Sequence, residues 1–269
     1  MGDIPIEEIL LELEQRRDRY PPDRYPVQYA TVCFHLGSTL IQARRPEAAV
    51  GVLEEAGSMF DRDGLALERA KTLNMQGIAH REIGDLQAAE RCFSRAAAMF
   101  EDLGEAVERA AALYNLGLVQ RDLLGPSGSV AALTEALSLF EVDASEPQAS
   151  AAARELGMSL LSSGEPAKAI PLLERAVTAA LSAADDLSFG NASNALGLAY
   201  LGSDRLDDAV EAFREAAAAH PRSVRPEPYA MAKANLALAL ERSGRPGGAR
   251  LAALQAKAIP TAPEPVWNS

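Results

Sequence analysis

The chain has 269 residues, of which 48% are hydrophobic and only 5% aromatic, and its formal net charge is -12. A chain this apolar is not disordered, and its scarce aromatics favour an all-α fold over β-sheets. The acidic balance argues against nucleic acid as a partner, because binding to the phosphate backbone needs a basic surface. No run of about 18 apolar residues predicts a membrane span, so no membrane partner is expected. An acidic N-terminus without a signal pattern predicts a cytoplasmic protein, and basic residues that are mostly arginine favour a bacterial origin.

The first predicted element is an N-terminal helix over residues 3–19. Asp3 is expected to cap this helix and Pro5 to open it. Apolar residues at helical spacing form one stripe along it: Ile6, Ile9, Leu10 and Leu13. Because the ends of repeat arrays need caps with a polar outer face, residues 1–25 are interpreted as a capping helix and turn.

Residues 26–258 repeat with a period of forty. One small residue recurs in perfect register: Gly37, Gly77, Gly117, Gly157, Gly197 and Ala237. Sixteen residues after each comes a mostly larger apolar residue: Leu53, Phe93, Leu133, Leu173, Phe213 and Ala253. The pattern predicts two helices in close contact at the glycine, with leucine or phenylalanine filling the gap. A bulky side chain at such a glycine is expected to overpack the contact.

Breaks in the pattern recur at the same place in each unit. Three glycines share one position, where a left-handed helix end is expected: Gly84, Gly164 and Gly244. Prolines share the position two residues later, where the first helical turn tolerates them: Pro46, Pro126, Pro166 and Pro246. Each repeat is therefore predicted to be a helix, a tight turn and an antiparallel second helix.

The order of small and large residues resembles the tetratricopeptide repeat. Repeat five carries the fullest match: Leu196, Gly197, Tyr200, Ala209, Phe213, Ala216 and Pro221. The usual unit has about 34 residues, and the longer form, with the extra residues expected between the second helix and the next first helix, resembles kinesin light chain and spindle-orientation adaptor repeats. HEAT and armadillo units are of similar length but lack this order. The resemblance implies a right-handed superhelical solenoid of six antiparallel helix pairs over residues 26–258, followed by a Pro-rich tail at 259–269.

The resemblance also implies that the first helices line a concave groove that binds a peptide segment or a partner helix. The positions carried over to this sequence are Phe34, His35, Lys71, Asn74, Met75, Ile78, Arg81, Tyr114, Asn115, Leu118, Arg121, Arg154, Met158, Asn191 and Asn194. The asparagine amides suit a peptide main chain, since each donates and accepts. The cations among these positions favour an acidic ligand. The alternative is that Arg81 and Arg121 pair with Glu82 and Asp122 on solvated helix ends.

No pattern for catalysis, for a cofactor or for a metal is present. Cys33 and His35 lie two residues apart and so face different sides of a helix. His220 is expected at a helix end, where a cation complements the helix dipole. We therefore expect a protein that is not an enzyme, and an enzyme would need an unrecognised site around His35, Tyr114 and Arg154.

The leading hypothesis is a non-catalytic interaction module whose partner is another protein or peptide. The second is a self-associating scaffold, a homodimer formed through the tail with Trp267 or through the exposed face of repeat six. The third is a peptide-sensing bacterial regulator.

Overall fold

The computed structural model describes residues 5–258, and within them it contains thirteen α-helices, one short 3₁₀ helix and no strand. The all-α prediction is confirmed. The chain divides into two compact units, unit 1 up to Ala144 and unit 2 from Ser145. The predicted tail, with Trp267, and the predicted cap Asp3 lie outside the described residues.

Unit 1 is a series of helices in which each packs against its neighbours in the chain. Its elements are α1 (Ile6–Asp18), α2 (Pro26–Gln42), α3 (Pro46–Arg62), α4 (Ala66–Glu82), α5 (Leu86–Leu103), α6 (Ala106–Leu124), a 3₁₀ helix (Pro126–Ser129) and α7 (Val130–Val142). The even-numbered helices also touch one another, because α4 contacts both α2 and α6. They therefore form one row.

Unit 2 has the same construction. Its elements are α8 (Glu146–Ser162), α9 (Pro166–Ser182), α10 (Asp186–Gly202), α11 (Leu206–Ala219), α12 (Pro226–Arg242) and α13 (Pro246–Lys257). Here α10 contacts both α8 and α12, which again places the first helices of successive pairs side by side.

The turns between helices are short and mostly left-handed. The predicted glycine ends are confirmed, with φ of 83° at Gly84, 80° at Gly164 and 73° at Gly244. Residues without glycine's freedom adopt the same conformation in other turns: Arg44, Ala144, Ala184 and Asp204. Pro126 differs from the other three predicted prolines, since it opens the 3₁₀ helix rather than an α-helix.

The extra length of the repeat lies in the helices, which corrects the prediction of inserted residues after the second helix. The turn from α3 to α4 holds three residues, as does the turn from α2 to α3, and α3 and α4 are each 17 residues long. First and second helices therefore begin at regular intervals.

Each recurring glycine makes room for the large residue sixteen positions later, as predicted. A Cβ on the glycine would lie within 2.5–2.8 Å of that side chain in every case: Gly37 with Leu53, Gly77 with Phe93, Gly117 with Leu133, Gly157 with Leu173 and Gly197 with Phe213. Carbon atoms in contact prefer about 3.5–4.0 Å. The two helices of each of these pairs can therefore pack this closely only around a glycine.

Helix α1 packs on the first pair of unit 1. Leu10 is 3% exposed and belongs to a core cluster with Leu36 and Leu53. On the surface, Nη2 of Arg45 lies 3.1 Å from Oε1 of Glu7. The helix begins one residue after Pro5, and its role as a cap stays a prediction.

Candidate functional site

The residues predicted to line a groove all lie on first helices, and all are at least partly exposed. In unit 1 they form what we call the unit 1 row: Phe34 and His35 on α2, Lys71, Asn74, Met75, Ile78 and Arg81 on α4, and Tyr114, Asn115, Leu118 and Arg121 on α6. In unit 2 they form the unit 2 row: Arg154 and Met158 on α8, and Asn191 and Asn194 on α10. Because neighbouring first helices touch, each row is one surface of its unit.

The cations of the unit 1 row differ in whether they already have an acidic neighbour. Lys71 and Arg81 are half-buried, and neither forms an ion pair with any residue between 5 and 258. Glu82, the alternative partner considered for Arg81, lies instead 4.0 Å from Arg44. Arg121 does approach its neighbour, with Nε 3.9 Å from Oδ1 of Asp122. The row therefore offers two cations on one helix, α4, to an external acid.

The apolar members of the unit 1 row also serve the core. Phe34, Met75 and Ile78 are half-buried and pack against the cluster around Leu36. The ring of Phe34 meets that of His35 edge to face, with 5.5 Å between centroids. These side chains therefore offer only part of their surface to a ligand.

The two asparagines at equivalent positions in the two rows differ. Oδ1 of Asn74 is buried and has no hydrogen-bond partner within the described part of the chain. Oδ1 of Asn194 accepts a hydrogen bond of 3.0 Å from Nδ2 of Asn235, which is fully buried on α12. Asn194 is thus held by a contact between two first helices. The sequence had suggested that its amide binds a peptide main chain, but its carbonyl oxygen already accepts a hydrogen bond within the protein.

The positive charge predicted at Arg154 is largely neutralised. Its Nη2 lies 2.9 Å from Oε1 of Glu155, and its side chain is 38% exposed. Met158 and Asn191 are exposed on the same row. The unit 2 row is therefore less basic than the unit 1 row.

Neither cysteine is placed for nucleophilic chemistry. Cys33 is fully buried, and burial raises the pKa of its thiol to about 11. Burial also raises the pKa of the half-buried Cys92. Over residues 5–258, no three His, Cys, Asp or Glu side chains are grouped so as to hold a metal ion, and no helix is long and apolar enough to cross a membrane.

His220 lies at a helix end, as predicted, because it directly follows Ala219, the last residue of α11, but it is buried there. It is 1% exposed, and its burial, with the nearby charge of Arg225, lowers the pKa of its imidazole. The ring lies so close to α10 that a Cβ at Gly190 would collide with Nε2. His220 is therefore a core side chain whose surroundings oppose a positive charge.

Sequence reasoning missed an open cleft in unit 2, between α8, α9 and α10. It has a volume of about 240 Å³, and most of its lining is alanine: Ala151, Ala176, Ala179, Ala180, Ala183 and Ala192. We call it the alanine cleft. Arg154 of the unit 2 row also lines it, so the cleft adjoins that row.

Family models identify the repeat. Residues 147–222 match one model of the tetratricopeptide repeat, and residues 74–125 and 194–263 match a second. Together these matches span more than half of the sequence. The chain belongs to the tetratricopeptide repeat family. The resemblance read from the recurring glycines is thereby confirmed.

Solved structures with the same fold come from several kinds of tetratricopeptide protein. One, a kinesin light chain-like repeat protein of Podosopora anserina, is 20% identical, covers 71% of this chain and 95% of its own, and has a TM-score of 0.60. A signal transduction ATPase of Pyrococcus horikoshii with a tetratricopeptide repeat sensor is 12% identical over 94% of this chain and 39% of its own, with a TM-score of 0.79. A Rap protein complexed with competence and sporulation factor is 18% identical over 87% of this chain and 64% of its own, with a TM-score of 0.57. At these identities the likeness shows the fold of this tetratricopeptide protein and nothing further.

No curated protein matches the chain. What this tetratricopeptide protein can do chemically therefore rests on its own surfaces, the two rows and the alanine cleft. They offer ion pairing, amide hydrogen bonds and apolar contact, which are the means of binding another protein.

Proposed function

We propose that this tetratricopeptide repeat protein is a non-catalytic module that binds a peptide segment or a partner helix along the unit 1 row. The observation that carries the proposal is the pair of cations on α4, Lys71 and Arg81, which have no ion-pair partner within residues 5–258. In a chain with a net charge of -12 they are two positive charges that stand ten residues, about 15 Å, apart along α4. Each attracts an acidic side chain of a segment lying along the helix, because local charge steers association whatever the overall charge.

The rest of the unit 1 row complements these charges. Tyr114 and Leu118 on the adjoining α6 are half-exposed and offer apolar contact. The Rap protein solved in complex with competence and sporulation factor supports a ligand-binding role for this fold. The alternative of a peptide-sensing bacterial regulator would use the same row.

Charge reversal tests the proposal. A library of random peptides is selected for binding to the wild-type chain, and the selected peptides are expected to be rich in Asp and Glu. The double variant Lys71→Glu/Arg81→Glu is expected to weaken their binding by at least about tenfold, which corresponds to about 1.4 kcal/mol.

A matched control carries the same change of net charge away from the row. Arg91 and Arg95 are exposed on the second helix α5, and the variant Arg91→Glu/Arg95→Glu should bind the selected peptides as the wild type does. Equal binding by a folded Lys71→Glu/Arg81→Glu variant, or equal losses in both variants, would contradict the assignment of the unit 1 row.

Self-association is a second candidate, favoured by one observation on α13. Leu251 is 59% exposed and Leu254 is 62% exposed on this helix of unit 2. A homodimer through this face predicts twice the chain mass in light scattering and the single mass for Leu251→Lys/Leu254→Lys. A single mass for the wild type at every concentration would exclude it.

A further inference from the structure

A buried aromatic ring recurs on the second helices of unit 1 and is missing from α9. Phe60, Phe100 and Phe140 stand forty residues apart and are 1–3% exposed. The next position in this register is Ala180. The residue before the ring changes in the same way, because Met59, Met99 and Leu139 are followed by Ala179. Two large side chains are thus absent from one place on α9.

The residues around the missing ring in unit 2 are small, as they are around Phe60. Phe60 packs in a cluster with Ala30, Cys33 and Ala56. At the same positions unit 2 has three small residues, Ser150, Ala153 and Ala176. No larger side chain has replaced the ring, and the alanine cleft lies where it would be. In the next repeat the position is filled again, by the buried ring of His220.

The alanine cleft is large enough for one ring. Its volume is about 240 Å³, whereas an engineered core cavity of about 150 Å³ already binds benzene. Its lining is mostly methyl groups, so a polar ligand would find few partners there. The acidic residue of the lining is already engaged, because the carboxylate of Asp185 accepts hydrogen bonds from the N–H groups of Leu187 and Ser188, at 3.1 and 3.0 Å.

We propose that the alanine cleft receives a phenylalanine side chain of a peptide bound along the unit 2 row, which takes the place of the ring that α9 lacks. The proposal rests on the proposed function only in that a peptide is the ligand, and it names the side chain by which unit 2 selects one. Arg154 links the cleft to the unit 2 row, because it belongs to that row and also lines the cleft. A segment along this row can therefore insert a side chain between α8 and α10.

The direct test uses the full chain with labelled alanine methyl groups, observed by NMR. The probe is N-acetyl-phenylalanine methylamide, and N-acetyl-alanine methylamide is its control. Saturable shifts in the millimolar range are expected at Ala151, Ala176 and Ala180 with the first compound and not with the second. No saturable shift at these methyl groups, or equal shifts with both compounds, would overturn the proposal.

Filling the cleft from within is the matching genetic test. Ala180→Phe restores the residue found at this position in unit 1 and is expected to raise the melting temperature while weakening binding of the probe by at least about tenfold. Ala179→Met is a second filling variant, should the first fail to fold. Ala218→Phe, at an exposed position of α11, is the control and should bind as the wild type does. A folded filling variant that binds the probe unchanged would overturn the proposal.

Other occupants give different results. If a second copy of the chain fills the cleft, the alanine methyl shifts will change on dilution in the absence of the probe. If residues 259–269 fill it, these shifts will change when those residues are deleted. Either result would overturn the proposal. The charge-reversal test concerns the unit 1 row, whereas the probe reports on the alanine cleft. A negative charge-reversal result would not change the shifts caused by the probe, so the two proposals can be overturned separately.

Discussion

Gly197 on α10 faces the ring of Phe213 on α11 so closely that a Cβ on the glycine would lie 2.6 Å from Cε1 of the ring. The pair α12 and α13 carries Ala237 and Ala253 at the two positions, so it lacks both the glycine and the large side chain. The glycine therefore occurs where a large side chain has to be accommodated, as close packing requires.

Gly197→Ala is expected to destabilise the chain by about 1–3 kcal/mol, because the added methyl group overpacks the ring. The same change at Gly51 within α3, where an added methyl group would meet nothing within 4 Å, should instead stabilise by about 0.5–1 kcal/mol through helix propensity. Denaturant unfolding measures both. The double variant Gly197→Ala/Phe213→Ala should lose less unfolding free energy than the two single variants lose together, as expected of residues in contact. Strict additivity would contradict a steric contact between the two residues.

The sequence predicts the repeat well because the glycine contact leaves so little choice of residue. The left-handed turns between the helices are harder to predict from the sequence, since only some of them contain glycine. Arg44 and Asp204 adopt φ of 59° without it. Both are exposed, so a three-residue turn can impose the strain while the side chain extends into solvent. Glycine therefore marks some of the turns, and the spacing of the helices marks the rest.

The site is harder to predict than the fold, because register fixes which face a residue lies on but not what its atoms contact. Asn74 and Asn194 occupy the same position in their repeats. Only Asn194 meets a buried amide, that of Asn235. The alanine cleft did leave a signal in the sequence, since Ala180 follows three phenylalanines in register. Reading which large residues are missing would have found it.

The hydrogen bond between Asn194 and Asn235 should contribute to stability. Asn235→Ala removes the donor and leaves Oδ1 of Asn194 unpaired beside a cavity, at an expected cost of about 1–3 kcal/mol. Asn191→Ala, at an exposed position of the same α10, should change the free energy of unfolding by less than about 0.5 kcal/mol. Equal effects in the two variants would show that the buried amide pair contributes nothing specific.

Cys33 should be protected from thiol reagents in the folded chain. It is fully buried and its pKa is raised to about 11, so at pH 8 little thiolate forms and the reagent has no access. The variant Cys92→Ser leaves Cys33 as the single thiol. Labelling with a chromogenic disulfide is expected to be slow in buffer and fast in denaturant. Labelling in buffer as fast as in denaturant would mean that α2 and α3 open readily around this residue.

His220 should make stability depend on pH. Burial lowers the pKa of its imidazole below the ordinary value of about 6.5, so the folded state resists a proton that the unfolded state accepts. Its contribution to the free energy of unfolding is therefore fully present above about pH 6.5 and is lost as the pH falls from there through the folded-state pKa.

Melting temperatures measured from pH 8 to pH 5 should fall more steeply for the wild type than for His220→Phe. This variant carries the residue found at the same position in unit 1, and comparing slopes removes any constant effect of its packing against Gly190. Parallel slopes for wild type and His220→Phe would mean that His220 takes up its proton equally in both states.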